Sequence, residues 1–120
     1  MIKKPIPKLI KQAEKVFNAY IRKRDKDLPC ISCGLHKEYY DAGHYVPVSN
    51  SSFLRFHEWN VNKECKGCNG FDQFHLIGYK KNLIKKIGED AVTWLEENKH
   101  TKIKWSRSEL EEIIQKYKAA

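Results

Sequence analysis

The chain has 120 residues and 41% hydrophobic composition, with 23 Lys and Arg against 15 Asp and Glu for a net charge of +8. That length is one domain, with a core too small to be comfortable without a staple. No apolar run nears the ~20 residues a membrane span needs, and Met1 to Pro7 lacks a signal peptide's apolar stretch, so a membrane partner is excluded and a reducing cytoplasm is expected.

Residues 8–24 read as an amphipathic helix. Leu9, Ile10, Ala13, Val16, Phe17, Tyr20 and Ile21 fill one face, and Lys8, Lys11, Lys15, Asn18 and Arg22 fill the opposite one. A solvated polar face would account for the stripe, but its single sign favours contact with phosphates. Pro5 and Pro7 set the start near residue 7. A knuckle follows at Cys30-Ile-Ser-Cys33, with Gly34 suited to its turn. Residues 38–48 are Tyr-rich and β-leaning, which fits two short strands or an irregular hairpin turned near residues 41–43. Residues 49–52 form a polar loop, and residues 53–64 a loop with a short helix or strand. The second knuckle, Cys65-Lys-Gly-Cys68, opens a helical region. Tyr79, Leu83, Ile84 and Ile87 form a helix face ended by Gly88. A further helix over about residues 89–97 buries Ala91, Val92, Trp94 and Leu95. A last one begins at Ser106 or Ser108, each followed by glutamate three residues on, and buries Leu110, Ile113, Ile114 and Tyr117.

The four cysteines form two C-x-x-C half-sites, and two half-sites complete one tetrahedral zinc shell. Between Cys33 and Cys65 lie 31 residues, more than a compact zinc ribbon needs. That insert carries His44 near the end of a strand, with Asn60 in a loop before the second pair and Asn69 directly after it. A strand-borne histidine, a loop asparagine and a helix-borne metal ligand are the parts of a ββα-metal nuclease site. Phosphodiester hydrolysis needs a base of imidazole-like pKa, a partner that fixes the ring, and a divalent cation on the phosphate. Asn and Asp oxygens suit Mg²⁺ or Mn²⁺.

The run Val16-Phe-Asn-Ala-Tyr-Ile-Arg-Lys-Arg-Asp25, then Leu28 to Gly34, Ala42-Gly-His-Tyr-Val46, Leu54-Arg-Phe56, Asn60-Val61 and Cys65-x-x-Cys-Asn69 resembles the phage NinG/Rap recombination proteins. The order of cysteine pairs, histidine and asparagine is also similar to phage endonuclease VII, of the His-Me (HNH-like) class. The resemblance implies metal-dependent cleavage of branched DNA, with His44 as general base, Asn60 orienting it, Asn69 as a ligand of the catalytic metal, and Cys30, Cys33, Cys65 and Cys68 as a structural zinc site. Endonuclease VII has Asp-His where this chain has Gly43-His44, so one metal-binding carboxylate is missing there. Asp41, Asp72 and His75 are the candidate replacements. Each has a plainer reading: a turn residue, an exposed helix acid, and a solvated or phosphate-contacting side chain.

The expected fold class is α+β: a small zinc-stabilised ββα-metal core over residues 28–77, in a single nuclease domain with the basic helix 8–24 before it and a helical part over residues 78–120. The expected function is structure-selective cleavage of Holliday junctions and D-loops in the host cell of a phage or prophage. The expected cofactors are one structural Zn²⁺ per chain and a catalytic Mg²⁺ or Mn²⁺. Branched DNA is the expected partner, met by a homodimer through Lys8, Lys11, Lys15, Arg22, Arg24, Arg55, Lys80 and Lys81. Trp59 or Tyr45 could stack on an unpaired base, although core packing is the plainer role for the tryptophans. The rival functions are a non-catalytic zinc-binding module for branched DNA and a general HNH nuclease of restriction type.

Overall fold

The computed structural model describes residues 3–70, 72 and 74–120. Helix α1 (Ile6–Arg24) starts at an extended Pro5 and buries Leu9, Ala13, Phe17 and Ile21. Strands β1 (Tyr40–His44) and β2 (Val61–Cys65) pair antiparallel, with Asp41 opposite Glu64, Gly43 opposite Asn62 and His44 opposite Val61. Four helices follow: the short α2 (Lys66–Gly70), then α3 (His75–Ile87), α4 (Glu89–Glu97) and α5 (Arg107–Ala119). Gly88, at φ 93°, turns α3 into α4. Ser106 and Glu109 form the capping box that starts α5.

The hairpin expected within residues 38–48 does not form. Tyr45 and Val46 bury their side chains in a core instead of turning back, and Pro47 has no N–H to continue a ladder. β1 therefore pairs with a strand from beyond the loop of residues 45–60, in the stretch that looked ambiguous. β2 reads Val-Asn-Lys-Glu-Cys yet is buried along its whole length. Helices cover both of its faces. Alternation puts Ala42, His44 and Val61 on one side, against α1. Asp41, Gly43, Asn62 and Glu64 face the other side, where α3 lies.

Two apolar cores flank the sheet. The first joins Leu9, Ala13, Phe17 and Ile21 of α1 to Val61, Phe56 and the α5 stripe of Leu110, Ile114 and Tyr117. The second joins Ile31, Tyr45, Val46 and Leu54 to Tyr79 and Leu83 of α3 and to Val92 and Leu95 of α4. Most buried polar groups between them are paired. The Tyr79 hydroxyl donates to the Gly43 carbonyl at 2.7 Å and accepts from Asn62 Nδ2 at 3.1 Å. Tyr79→Phe would remove both bonds, leaving Asn62 Nδ2 only the Trp59 carbonyl at 3.2 Å, and is expected to lower stability by about 1–3 kcal/mol, read from denaturant unfolding. An unchanged midpoint would show the hydroxyl to be idle. Among the described residues, no helix is long and apolar enough to cross a membrane.

Candidate functional site

The four cysteines from the two knuckles converge. Their sulfurs all lie within 4.8 Å of one another, as free thiols, with Cys30, Cys65 and Cys68 buried and Cys33 exposed. A zinc ion with ~2.3 Å Zn–S bonds would space tetrahedral sulfurs about 3.8 Å apart, so the cluster is of the right size. Gly34, at φ 72°, makes the knuckle turn. Backbone amides of Cys33 and Cys65 point at Cys30 Sγ, at 3.5 and 3.3 Å. Burial raises the Cys30 thiol, but these amides outweigh it and hold Cys30 below its usual range. Cys68 is pushed well up, first by burial and then by the neighbouring Cys65 and Cys30 sulfurs. Four sulfurs crowded this way become thiolates together only around a cation, and the cluster could hold a zinc ion.

His44 ends β1, partly buried, with Nε2 3.0 Å from the Arg55 carbonyl. Burial foremost, then the nearby Arg55 charge, holds its pKa below the usual imidazole value, against the pull of the Arg55 carbonyl and Glu14. The ring is therefore neutral at pH 7. Asn60 does not orient it. The Asn60 side chain accepts from Val46 N at 2.8 Å and donates to the Val46 and Leu54 carbonyls at 3.0 and 3.2 Å, so all its bonding is spent inside the loop. It pins the loop whose Arg55 carbonyl holds His44, so its influence on the ring passes through the backbone.

Asn69 donates to Asp41 Oδ2 at 3.1 Å, and Lys66 Nζ lies 2.5 Å from Asp41 Oδ1. Burial raises the Asp41 carboxyl, but Lys66 and Asn69 outweigh it and hold Asp41 below its usual range. Asp41 and Asn69 thus come together, with the Asn69 amide nitrogen on one carboxylate oxygen and the Lys66 ammonium on the other. His44 lies three residues, about 10 Å, further along β1. Asp72 serves the turn into α3, its carboxylate accepting from Phe74 N at 2.9 Å. His75 pairs with a residue the sequence reading missed: its Nδ1 lies 2.5 Å from Oε2 of Glu64. Glu64 is fully buried. The same oxygen accepts from Ser32 Oγ, and Oε1 has no partner among the described residues. The available signal was strand alternation, which puts Glu64 on the opposite face from Cys65; that this is also the face of Gly43 follows only from the ladder register.

The expected phosphate contacts divide. Lys8, Lys11, Lys15, Arg22 and Lys81 are exposed. Lys80 is exposed too but pairs with Glu96 at 3.0 Å. Arg24 is not free for phosphate: it forks onto Asp25 at 2.8 and 2.9 Å and also bonds the Glu58 and Val61 carbonyls and Asn62 Oδ1. Arg55 pairs with Glu14. Tyr45 is likewise committed, with its hydroxyl 2.6 Å from Glu96. Trp59, which the plainer reading put in the core, is 41% exposed beside His57 and Trp94.

The family model described as "Bacteriophage Lambda NinG protein" matches residues 2–120. The chain is 44% identical to Protein ninG of Escherichia phage 933W over 115 residues, covering 95% of this chain and 57% of that protein. Protein ninG of Escherichia phage lambda is 44% identical, with 95% and 56% covered. That of Salmonella phage P22 is 43% identical, with the same coverage. The chain therefore spans a little over half the length of these relatives. No solved structure matches it.

Proposed function

The chain belongs to the bacteriophage NinG family, and we propose that it acts there as a metal-dependent DNA endonuclease of the His-Me finger (HNH-like) kind, cutting four-way junctions and D-loops. The observation that carries this reading is His44, a neutral imidazole fixed through Nε2 by a backbone carbonyl at the end of a strand. Its Nδ1 makes no hydrogen bond among the described residues and is the atom that takes the proton from the attacking water. Asp41 and Asn69 would hold a hard divalent cation, to which the Lys66 ammonium on Asp41 is the stand-in. That cation supplies charge stabilisation at the phosphate. Cys30, Cys33, Cys65 and Cys68 would hold one zinc, and a shell closed by four thiolates serves structure and leaves no position for substrate.

Exposed Lys8, Lys11, Lys15 and Arg22 would bind phosphates without reading bases, which leaves branch shape as the selected feature. Two matched incisions require two active sites, which a two-fold homodimer supplies. The host cytoplasm keeps such thiols reduced.

The test incubates zinc-loaded protein with labelled four-way junction, D-loop and linear duplex in Mg²⁺ or Mn²⁺. Incision of the branched substrates alone, lost in EDTA, is expected. Lys66 on Asp41, and glycine at position 43, favour a second reading as a non-catalytic DNA-binding module. Binding without incision at any metal concentration would establish that reading instead. Equal cutting of linear duplex would indicate a restriction-type enzyme.

A further inference from the structure

We propose that Glu64 is a cation-binding carboxylate of this site, delivered by β2 to the place where β1 has only Gly43. The role rests on the nuclease reading above. Gly43 and Glu64 lie on one face of the ladder, Gly43 opposite Asn62 and Glu64 opposite Asp41. The Glu64 side chain runs along that face and covers Gly43. A Cβ on Gly43 would overlap Oε1 and stand 2.9 and 3.1 Å from Glu64 Cβ and Cδ. The space beside residue 43, directly before His44, thus already contains a carboxylate from the neighbouring strand. An aspartate at position 43 and the glutamate at position 64 exclude each other.

The carboxylate is held as a ligand would be. Ser32 Oγ and His75 Nδ1 both bond Oε2, which fixes its orientation from outside, as partners beyond a metal's own ligands do. Oε1, fully buried, is left without a partner among the described residues. Nearby cations are engaged elsewhere: Arg24 and Lys86 on Asp25, Lys66 on Asp41, and Lys63 on backbone carbonyls. A buried carboxylate oxygen with no donor is costly unless something positive meets it. An oxygen of this kind selects a hard divalent ion such as Mg²⁺ or Mn²⁺. His75, whose side chain is 19% exposed, is the cover over this group.

The experiment measures Mn²⁺ binding to zinc-loaded protein by the electron paramagnetic resonance signal of free Mn²⁺, beside junction cleavage. Parent protein is expected to bind Mn²⁺, and Glu64→Gln to bind at least about tenfold more weakly with zinc content and melting unchanged. The exchange variant Gly43→Asp/Glu64→Gly is expected to recover binding, because it returns one carboxylate to the same space. Parent-like affinity in Glu64→Gln would overturn the assignment and leave the nuclease reading standing if cleavage persists. Parent protein that binds no Mn²⁺ would overturn it as well. Weakened Mn²⁺ binding in Glu64→Gln, with no cleavage by the parent, would support Glu64 as the ligand and remove the nuclease. Should Glu64→Gln lose its zinc, the exchange variant decides: recovered Mn²⁺ binding supports the assignment and none overturns it.

Discussion

His44→Ala is expected to slow Mg²⁺-dependent junction cleavage by about 10²–10⁴-fold while junction binding in EDTA survives. The ring would contribute a proton acceptor, and the exposed lysines of α1 that would grip DNA lie elsewhere. Cleavage at the parent rate would remove His44 from the mechanism. The pH dependence sharpens the test. Burial lowers the His44 pKa, so the neutral base persists as pH falls through the ordinary imidazole value of about 6.5. The rate should stay level through that value and fall only below it. Stability follows the same sign: below about 6.5 the unfolded chain binds a proton at this residue that the folded chain refuses, so folding weakens as pH falls towards the folded pKa. Denaturant unfolding of the parent and of His44→Gln at pH 7 and pH 5 should therefore converge at the lower pH.

Removing metal from the cysteine cluster is expected to unfold the region between the knuckles. Zinc held by four thiolates contributes on the order of 10 kcal/mol in small domains, comparable with the whole ~5–15 kcal/mol stability of such a fold. The loss would spread, because α3 rests directly on the first knuckle: a Cβ on Gly78 would overlap the Ser32 carbonyl. Chelation, or Cys65→Ser, should thus lower the melting temperature and expose α3 amides to hydrogen exchange together with the knuckles. Metal analysis should find one zinc per chain. A chelator-insensitive melt with no bound zinc would dismiss the staple.

Much of this was legible in residue order. Helix α1, α4 and the start of α5 follow from apolar spacing and from Ser106-x-x-Glu109, which are local signals. The cysteine convergence follows from paired spacing. Strand pairing was not legible, because β2 carries Asn62, Lys63 and Glu64 in a fully buried strand and polarity there suggests a loop. Each is compensated by a distant group: Asn62 by Tyr79 and Lys86, Lys63 by carbonyls of residues 25, 26 and 28, and Glu64 by Ser32 and His75. The resemblance implies that Asn60 orients the ring, but its burial commits it to Val46 and Leu54. Glu64 escaped notice because its meaning depends on Gly43, which only the ladder register brings beside it.

The internal use of Arg24, Lys63 and Lys86 separates the charge the chain carries from the charge it presents. Lys63 bonds the Leu28 carbonyl at 2.9 Å and lies 3.9 Å over the Tyr40 ring, while Arg24 and Lys86 neutralise buried Asp25. None of the three can displace a counterion condensed on a phosphate without first breaking the fold. The ionic-strength sensitivity of any polyanion complex would then count the exposed cations of α1 and α3, and fall short of what the formal +8 suggests.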